Sequence, residues 1–334
     1  MGASELNIST RDQRLEQAES WLHSLDVDLQ TELLGIAGDA SFRRYFRAMI
    51  DGQSRILMDA PPPDEDVRPF IDIARRLTAA NLHAPEIFYE DQQNGYLLLE
   101  DLGDDLYKGL LDRSTVNTHF SSLFEVLKNM VLDVNTSGLR DYSAGMLQAE
   151  MNLFPDWYLG SHRSTMPRTQ FDAVWGKFCQ QVIDSALDQS RCFVHRDYHS
   201  SNLLKISDDE VGIIDFQDAV NGPISYDFIS LIWDRYIEWP RNQIENWMEE
   251  FRQMLGRDFC QKTGPEQWQR HCDLMGLQRN FKIVGIFARL YYRDGKNGYI
   301  EMIPRFYQYI INTLRLYPEF TGILNILEKD SCEP

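Results

Sequence analysis

Apolar residues recur along this chain with two periods, and the change from one to the other divides it. Leu15, Ala18, Leu22 and Leu25 repeat at helical spacing behind Thr10 and Gln13, which resemble a capping box, so an amphipathic helix is predicted near the start. Residues 33–37, 43–50 and 55–59 then read as strands, with Asp51-Gly52 as a tight hairpin turn and Pro61-Pro62-Pro63 as the interruption that ends the run. Val67, Phe70, Ile71, Ala74 and Leu77 predict a second helix; residues 86–90 and 96–99 predict a second hairpin around Asn94-Gly95. Beyond about Asp104 the period is mainly helical, at residues 116–134, 171–187, 244–255, 281–292 and 306–316. The predicted class is α+β: a small five-stranded antiparallel lobe over residues 1–103, which takes in the junction Glu100-Asp101-Leu102-Gly103, and a larger helical lobe over residues 104–334. No internal repeat or low-complexity linker is visible.

Composition narrows the function classes. With 43% hydrophobic and 25% charged residues the chain is of ordinary soluble globular type, and its 334 residues are enough for two lobes. A net charge of -18, from 33 basic and 51 acidic residues, speaks against nucleic-acid binding, because phosphate contacts need a basic face. No apolar run approaches the roughly 20 residues that span a bilayer, so no membrane association is expected. The N-terminus has neither a signal-peptide apolar core nor the Ser or Thr at position six that myristoylation prefers, which makes the cytoplasm the expected compartment. The five cysteines form no CxxC pair and read as free thiols. No obligate protein partner is evident.

The chemistry lies in two segments of the helical half. His195-Arg196-Asp197-Tyr198-His199-Ser200-Ser201-Asn202 is followed by Gly212-Ile213-Ile214-Asp215-Phe216, and short apolar strands flank both. An Asp with an Asn five residues later, and an apolar strand ending in Asp-Phe, is the spacing of a kinase active site. Asp197 would accept the proton of the substrate hydroxyl. Asn202 and Asp215 would hold magnesium, which accepts hard oxygen ligands and leaves room for water and nucleotide phosphates. A second reading takes His195-x-Asp197-x-His199 as part of a dinuclear metal hydrolase, although His23, His83, His119, His162 and His271 are scattered without ligand spacing.

These residues resemble the aminoglycoside phosphotransferase-like family of small-molecule kinases. Residues 194–204 match its H-x-D-x-H-x-x-N-hydrophobic loop, and Ile213-Ile214-Asp215-Phe216-Gln217-Asp218 matches its metal-binding strand. Gly222-Pro223-Ile224-Ser225-Tyr226-Asp227 matches a downstream segment whose Asp is structural in the family. The second His separates this loop from that of eukaryotic protein kinases, and no A-P-E segment follows. A narrower resemblance covers nearly the whole chain: residues 38–47, 56–61 and 152–158, Phe287-Ala288-Arg289-Leu290 and Arg293-Asp294-Gly295-Lys296 look like the bacterial anomeric amino-sugar kinases. That resemblance implies a bilobal protein-kinase-like fold, ATP and Mg2+ as cofactors, and transfer to the 1-hydroxyl of N-acetylmuramate or N-acetylglucosamine in peptidoglycan recycling.

Further site residues follow from this comparison. The β3 strand of many kinases carries a phosphate-binding Lys, but Ile56-Leu57-Met58-Asp59 has none. Arg43, Arg44 or Arg47, in the hairpin that would cover the nucleotide with Gly38, Ser41 and Phe42, are the nearest replacements; each could equally be part of an exposed charged strand face. Backbone groups from Glu100 to Leu102 would bond the purine. Phe154, Trp157 and Tyr158 could stack on a sugar or belong to the core, and His199 could reach substrate or serve the loop alone. Arg289, Arg293 and Lys296 could pair with a lactyl carboxylate or complement a helix C-terminus. Competing functions are a kinase of another small hydroxyl compound, such as choline, homoserine or an aminoglycoside, and a non-catalytic nucleotide-binding scaffold.

Overall fold

The computed structural model describes residues 12–36, 42–162 and 168–331. The chain divides into two compact units: residues 1–75 with 83–104, and residues 76–82 with 105–334.

The first unit is built on a five-stranded antiparallel sheet in the order β1-β2-β3-β5-β4. Its strands are β1 (Leu34–Ile36), β2 (Arg44–Ile50), β3 (Gln53–Asp59), β4 (Ile87–Asp91) and β5 (Tyr96–Glu100). The Asp51-Gly52 turn forms with both residues at positive φ, the geometry that matches strand twist. Alternation decides which face is buried: Phe46, Ala48 and Ile50 of β2, with Leu57 and Leu98, point to one side and receive Ala18 and Leu22 of helix α1 (Gln13–Ser24). Trp21 stacks on Tyr96 there at a centroid distance of 5.5 Å. The N-cap of α1 is Asp12, whose carboxylate accepts from the N–H groups of Arg14 and Leu15. Thr10, the expected cap, lies outside the described residues, and Gln13 is already the first helical residue. Helix α2 (Arg68–Ala79) follows the prolines.

The second unit holds helices α3 (Val116–Asp133), α4 (Ala144–Leu153), α5 (Arg168–Leu187), α6 (Tyr226–Ile232), α7 (Arg241–Met254), α8 (Arg257–Lys262), α9 (Pro265–Tyr292), α10 (Ile303–Leu314) and α11 (Thr321–Ser331). It also holds two small ribbons, β6 (Arg191–Val194) paired with β9 (Val220–Pro223), and β7 (Leu203–Lys205) paired with β8 (Val211–Ile213). The organising element is α9. It was expected only from residue 281, but it begins at Pro265 and runs for 28 residues, about 42 Å at 1.5 Å per residue. Helices α4, α5, α6, α7 and α10 all pack against it. Residues 271–282 are buried on every side and show no one-sided stripe, so the period that marks a surface helix is lost there.

Between α4 and α5 the chain forms a π-helical segment, Phe154–His162, with Pro155 near its start. Phe154 and Tyr158 of this segment are buried and stack on each other at 5.0 Å, and Phe154 meets Trp175 and Phe281. The segment can lie close to α9 because Gly285 has no side chain: a Cβ there would sit 2.3 Å from the Leu153 carbonyl carbon and 2.6 Å from its oxygen. Backbone cannot yield as a flexible side chain can. Gly285→Ala is therefore expected to destabilise the second unit by roughly 1–3 kcal/mol, the cost of overpacking. Urea unfolding followed by tryptophan fluorescence checks this, and an unchanged midpoint would contradict the close approach.

Candidate active site

The loop between β6 and β7 carries the expected catalytic residues, and its shape depends on the residues that hold its backbone. Arg196 takes φ 78° and Asp215 φ 63°, both left-handed conformations that cost free energy in residues other than glycine. Asp227, at the start of α6 and 2% exposed, accepts from the N–H groups of His195 at 2.5 Å and Arg196 at 3.0 Å, so the turn is fixed from beneath. Burial pushes the Asp227 carboxyl up to about 7, against the influence of these two donors, which favour its charged form. The Asp234 carboxylate accepts from Ser200 N–H at 3.1 Å, and Lys108 N–H donates to Ser200 O at 2.9 Å.

His195 joins the two halves of the site. One ring nitrogen, Nε2, bonds the Ile214 carbonyl at 3.1 Å, and the other, Nδ1, accepts from the backbone N–H of Asp197 at 3.2 Å. Accepting at Nδ1 requires a neutral ring with its proton on Nε2. Burial favours that form and pushes the pKa down to about 4. His199 is treated similarly: burial first, then the neighbouring Arg235 guanidinium, bring it down to about 3. Arg235 Nη2 donates to His199 Nε2 at 3.1 Å, which leaves the proton on Nδ1, a buried atom with no partner among the described residues. With both nitrogens of His195 and one of His199 already engaged, the dinuclear hydrolase reading is set aside. Among the described residues no group of three or more His, Cys, Asp or Glu could hold a metal ion.

The remaining oxygens fit a magnesium site completed by phosphates and water. Asn202 Nδ2 donates to the Asp197 carbonyl at 2.9 Å and lies 3.5 Å from Asp215 Oδ2, so its side-chain oxygen is the atom left to face a cation. Asp215 is exposed at the end of its strand, and Gln217 Nε2 steadies its Oδ1 at 2.9 Å. Asn202 thus lies between the Asp197 backbone and the Asp215 carboxylate.

What the sequence did not indicate is the charge around Asp197. Glu150, on α4, accepts from Tyr142 Oη, from Gln278 Nε2 at 2.9 Å and from Arg196 Nη2 at 2.6 Å, with Lys282 Nζ at 3.1 Å. Lys282 also donates to Tyr226 Oη at 3.1 Å. Burial raises the Glu150 carboxyl, but Lys282 and Arg196 outweigh it and hold the group below its usual range. Burial would also raise Asp197; Lys282, the strongest opposing influence, and Arg279 outweigh it and hold the carboxyl below its usual range. Gln278, Arg279 and Lys282 sit on one stretch of α9, and the only signal in the sequence was a run of polar residues inside an apolar helix.

Other expected site residues stand as follows. Gly38 and Ser41 lie outside the described residues, and Phe42 is exposed. The three arginines meant to replace the missing Lys are all paired within the first unit. Arg43 Nε lies 3.3 Å from Glu65, Arg44 bonds Asp12 and the buried Asp59, and Arg47 reaches Asp101 at 2.7 Å and Asp104 at 2.8 Å. The Glu100 side chain meets His83 at 3.0 Å and its N–H donates to Glu86 O, while Leu102 is half-buried. Tyr158 belongs to the aromatic core and Trp157 is half-buried. At the C-terminal end of α9, exposed Arg293 pairs with Asp294 at 2.6 Å, Arg289 is half-buried, and Lys296 N–H donates to Leu290 O.

Residues 32–270 match the sequence pattern of the phosphotransferase enzyme family. The chain is 37% identical over 328 residues to the N-acetylmuramate/N-acetylglucosamine kinase of Pseudomonas aeruginosa, covering 95% of this chain and 96% of that one. Among solved structures it is similar to the ethanolamine kinase of Plasmodium vivax, with a TM-score of 0.62 at 13% identity over 97% of this chain and 99% of that one. An ADP-bound aminoglycoside phosphotransferase gives a TM-score of 0.57 at 13% identity over 90% of this chain and 97% of that one. The α+β fold expected from the sequence is the fold these structures share.

Neutral, buried imidazoles make a direct test. Ring resonances of His195 and His199 should not titrate between pH 5 and 8, where a free histidine passes through its midpoint near 6.5. The unfolded chain does bind these protons, so the two rings lower stability as the pH drops from about 6.5 towards 4, while Asp227, with its raised carboxyl, offsets part of that loss. Heteronuclear NMR with assignment by His195→Gln and His199→Gln checks it; a midpoint near 6.5 for either ring would contradict the assignment.

Proposed function

The chain belongs to the phosphotransferase enzyme family, and on that basis we propose that it transfers the γ-phosphoryl group of ATP to the anomeric 1-hydroxyl of N-acetylmuramate and N-acetylglucosamine, a step of peptidoglycan recycling. The observation that carries the reading is the match over 95% of the chain to a kinase of these two sugars, joined to a catalytic loop in which Asp197, Asn202 and Asp215 converge.

Asp197 receives the 1-hydroxyl. Held below the usual carboxylate range by Lys282, it is ionised at neutral pH and accepts a hydrogen bond from the sugar, fixing the oxygen for in-line attack. A carboxylate does not generate an alkoxide in advance. It suits a loose transition state, in which the proton leaves late and positioning matters more than base strength. An anomeric hydroxyl is also more acidic than an ordinary alcohol, which favours the same order of events. Asp215 and the Asn202 side-chain oxygen would hold magnesium, whose chemistry is to neutralise phosphate charge. His195 keeps the two parts in register, because the ring that bonds the Ile214 carbonyl also bonds the amide of Asp197.

Asp197→Asn should leave the fold intact and lower kcat by at least about a hundredfold, the scale of lost acid-base catalysis. Phosphorus NMR of the product of the unaltered chain should show coupling to the anomeric proton and no 6-phosphate. Turnover of choline, homoserine or an aminoglycoside in place of either sugar would contradict the substrate assignment, and near-normal turnover by Asp197→Asn would contradict the role of the residue.

A further inference from the structure

Three cations, Arg196, Lys282 and Arg279, lie beside the catalytic loop of the second unit, and two of them meet a carboxylate directly. Arg196 and Lys282 share Glu150. Arg279 has no such direct partner, although the charges of Asp197 and Asp227 act on it. Only 5% exposed, its side chain makes no hydrogen bond and no ion pair within 4.0 Å among the described residues. A largely enclosed guanidinium with no direct acid partner is a ready site for an anionic ligand. Its place on α9 is fixed by its neighbours. Gln278 and Lys282 both reach Glu150, which holds Arg196, the residue preceding Asp197. A second unsatisfied group lies nearby: His199 is 6% exposed, and its Nδ1 donor is buried without a partner.

We propose that Arg279, with the Nδ1–H of His199, is the subsite for the lactyl carboxylate of N-acetylmuramate, the group that N-acetylglucosamine lacks. The inference rests on the proposed function and assigns a residue to one part of its substrate. Reach decides between Arg279 and the arginines near the end of α9. With the 1-hydroxyl at Asp197, the lactyl carboxylate on O3 is two ring carbons away and extends at most roughly 8 Å from O1, by ordinary bond lengths. Arg289 lies ten residues beyond Arg279 on the same helix, about 15 Å further along its axis. Arg293 is further still and is already paired with Asp294. A planar guanidinium suits a carboxylate, which it can hold through two parallel N–H bonds.

The test compares kcat/KM for both sugars in the unaltered chain and in Arg279→Met, Arg279→Lys and Arg289→Met. Arg279→Met should lower kcat/KM for N-acetylmuramate by roughly tenfold to a hundredfold more than for N-acetylglucosamine, mainly through KM, with Arg279→Lys between the two. The same variant should lose the preference of the unaltered chain for N-acetylmuramate over its methyl ester. Its melting temperature should not fall, because an unpaired buried cation is being replaced by an apolar side chain of similar length. Equal losses for both sugars, no loss at all, a muramate-selective loss in Arg289→Met instead, or a lowered melting temperature with no sugar selectivity would each overturn the assignment. If the unaltered chain phosphorylates N-acetylglucosamine but no variant separates the two sugars, this subsite fails and the kinase reading stands; if it phosphorylates neither sugar, both fail.

Discussion

Two consecutive backbone N–H groups, those of His195 and Arg196, point at one buried carboxylate, Asp227, and the loop that follows takes its course from that contact. Arg196 would not hold φ 78° unaided. With its N–H bound, the chain turns sharply enough to bring Asp197 N–H onto His195 Nδ1 and Asp197 O onto Asn202 Nδ2. Each of these bonds orders the next, so a single carboxylate at the start of α6 sets the direction of Asp197 and of the Asn202 side-chain amide. The short ribbons β6–β9 and β7–β8 supply the ends from which this loop is suspended.

Charge then determines what the positioned groups can do. The chain as a whole carries -18, yet the surroundings of Asp197 are cationic, with Lys282 and Arg279 from α9 and Arg196 from the loop itself. Burial and positive neighbours oppose each other at Asp197, and the neighbours prevail, which keeps the carboxylate ionised in a place that would otherwise favour its acid form. At His195 burial outweighs the neighbouring Asp197 carboxylate and keeps the ring neutral, as its two bonds require. Local field and global charge are separate properties of this molecule, and the net charge gave no guide to the site.

How much could be read beforehand followed from how local each feature is. The five strands are short apolar runs bounded by the Asp51-Gly52 and Asn94-Gly95 turns and the prolines, and β2 alternates its burial, so they were visible within about two residues of their ends. The catalytic loop was visible because its chemistry demands fixed spacing along the chain. The first half of α9 and the π-helical segment were not: residues 271–282 of α9 are buried on every side and carry no one-sided period, and the π-helical segment is too short to show one. Pairing between distant residues was equally hidden. Arg44 meets Asp12 and Asp59, Arg47 meets Asp101 and Asp104, and Glu150 gathers donors from Tyr142, Arg196, Gln278 and Lys282; no spacing rule connects these positions. Arginines placed in a nucleotide-covering hairpin by position alone are, in the structure, each engaged with a carboxylate of the first unit.

The central claim is that the sugar's own anomeric oxygen, held by Asp197, attacks phosphorus. N-acetylglucosamine carrying 18O at its 1-hydroxyl tests it most directly, with the product read by the isotope shift of its phosphorus resonance and by mass spectrometry. The account requires the label to remain in the C–O–P bridge of a 1-phosphate, shifting the phosphorus signal by a single bridging 18O. Loss of the label beyond that in the unreacted sugar recovered from the same mixture, or an unshifted signal from phosphate at another hydroxyl, would contradict it.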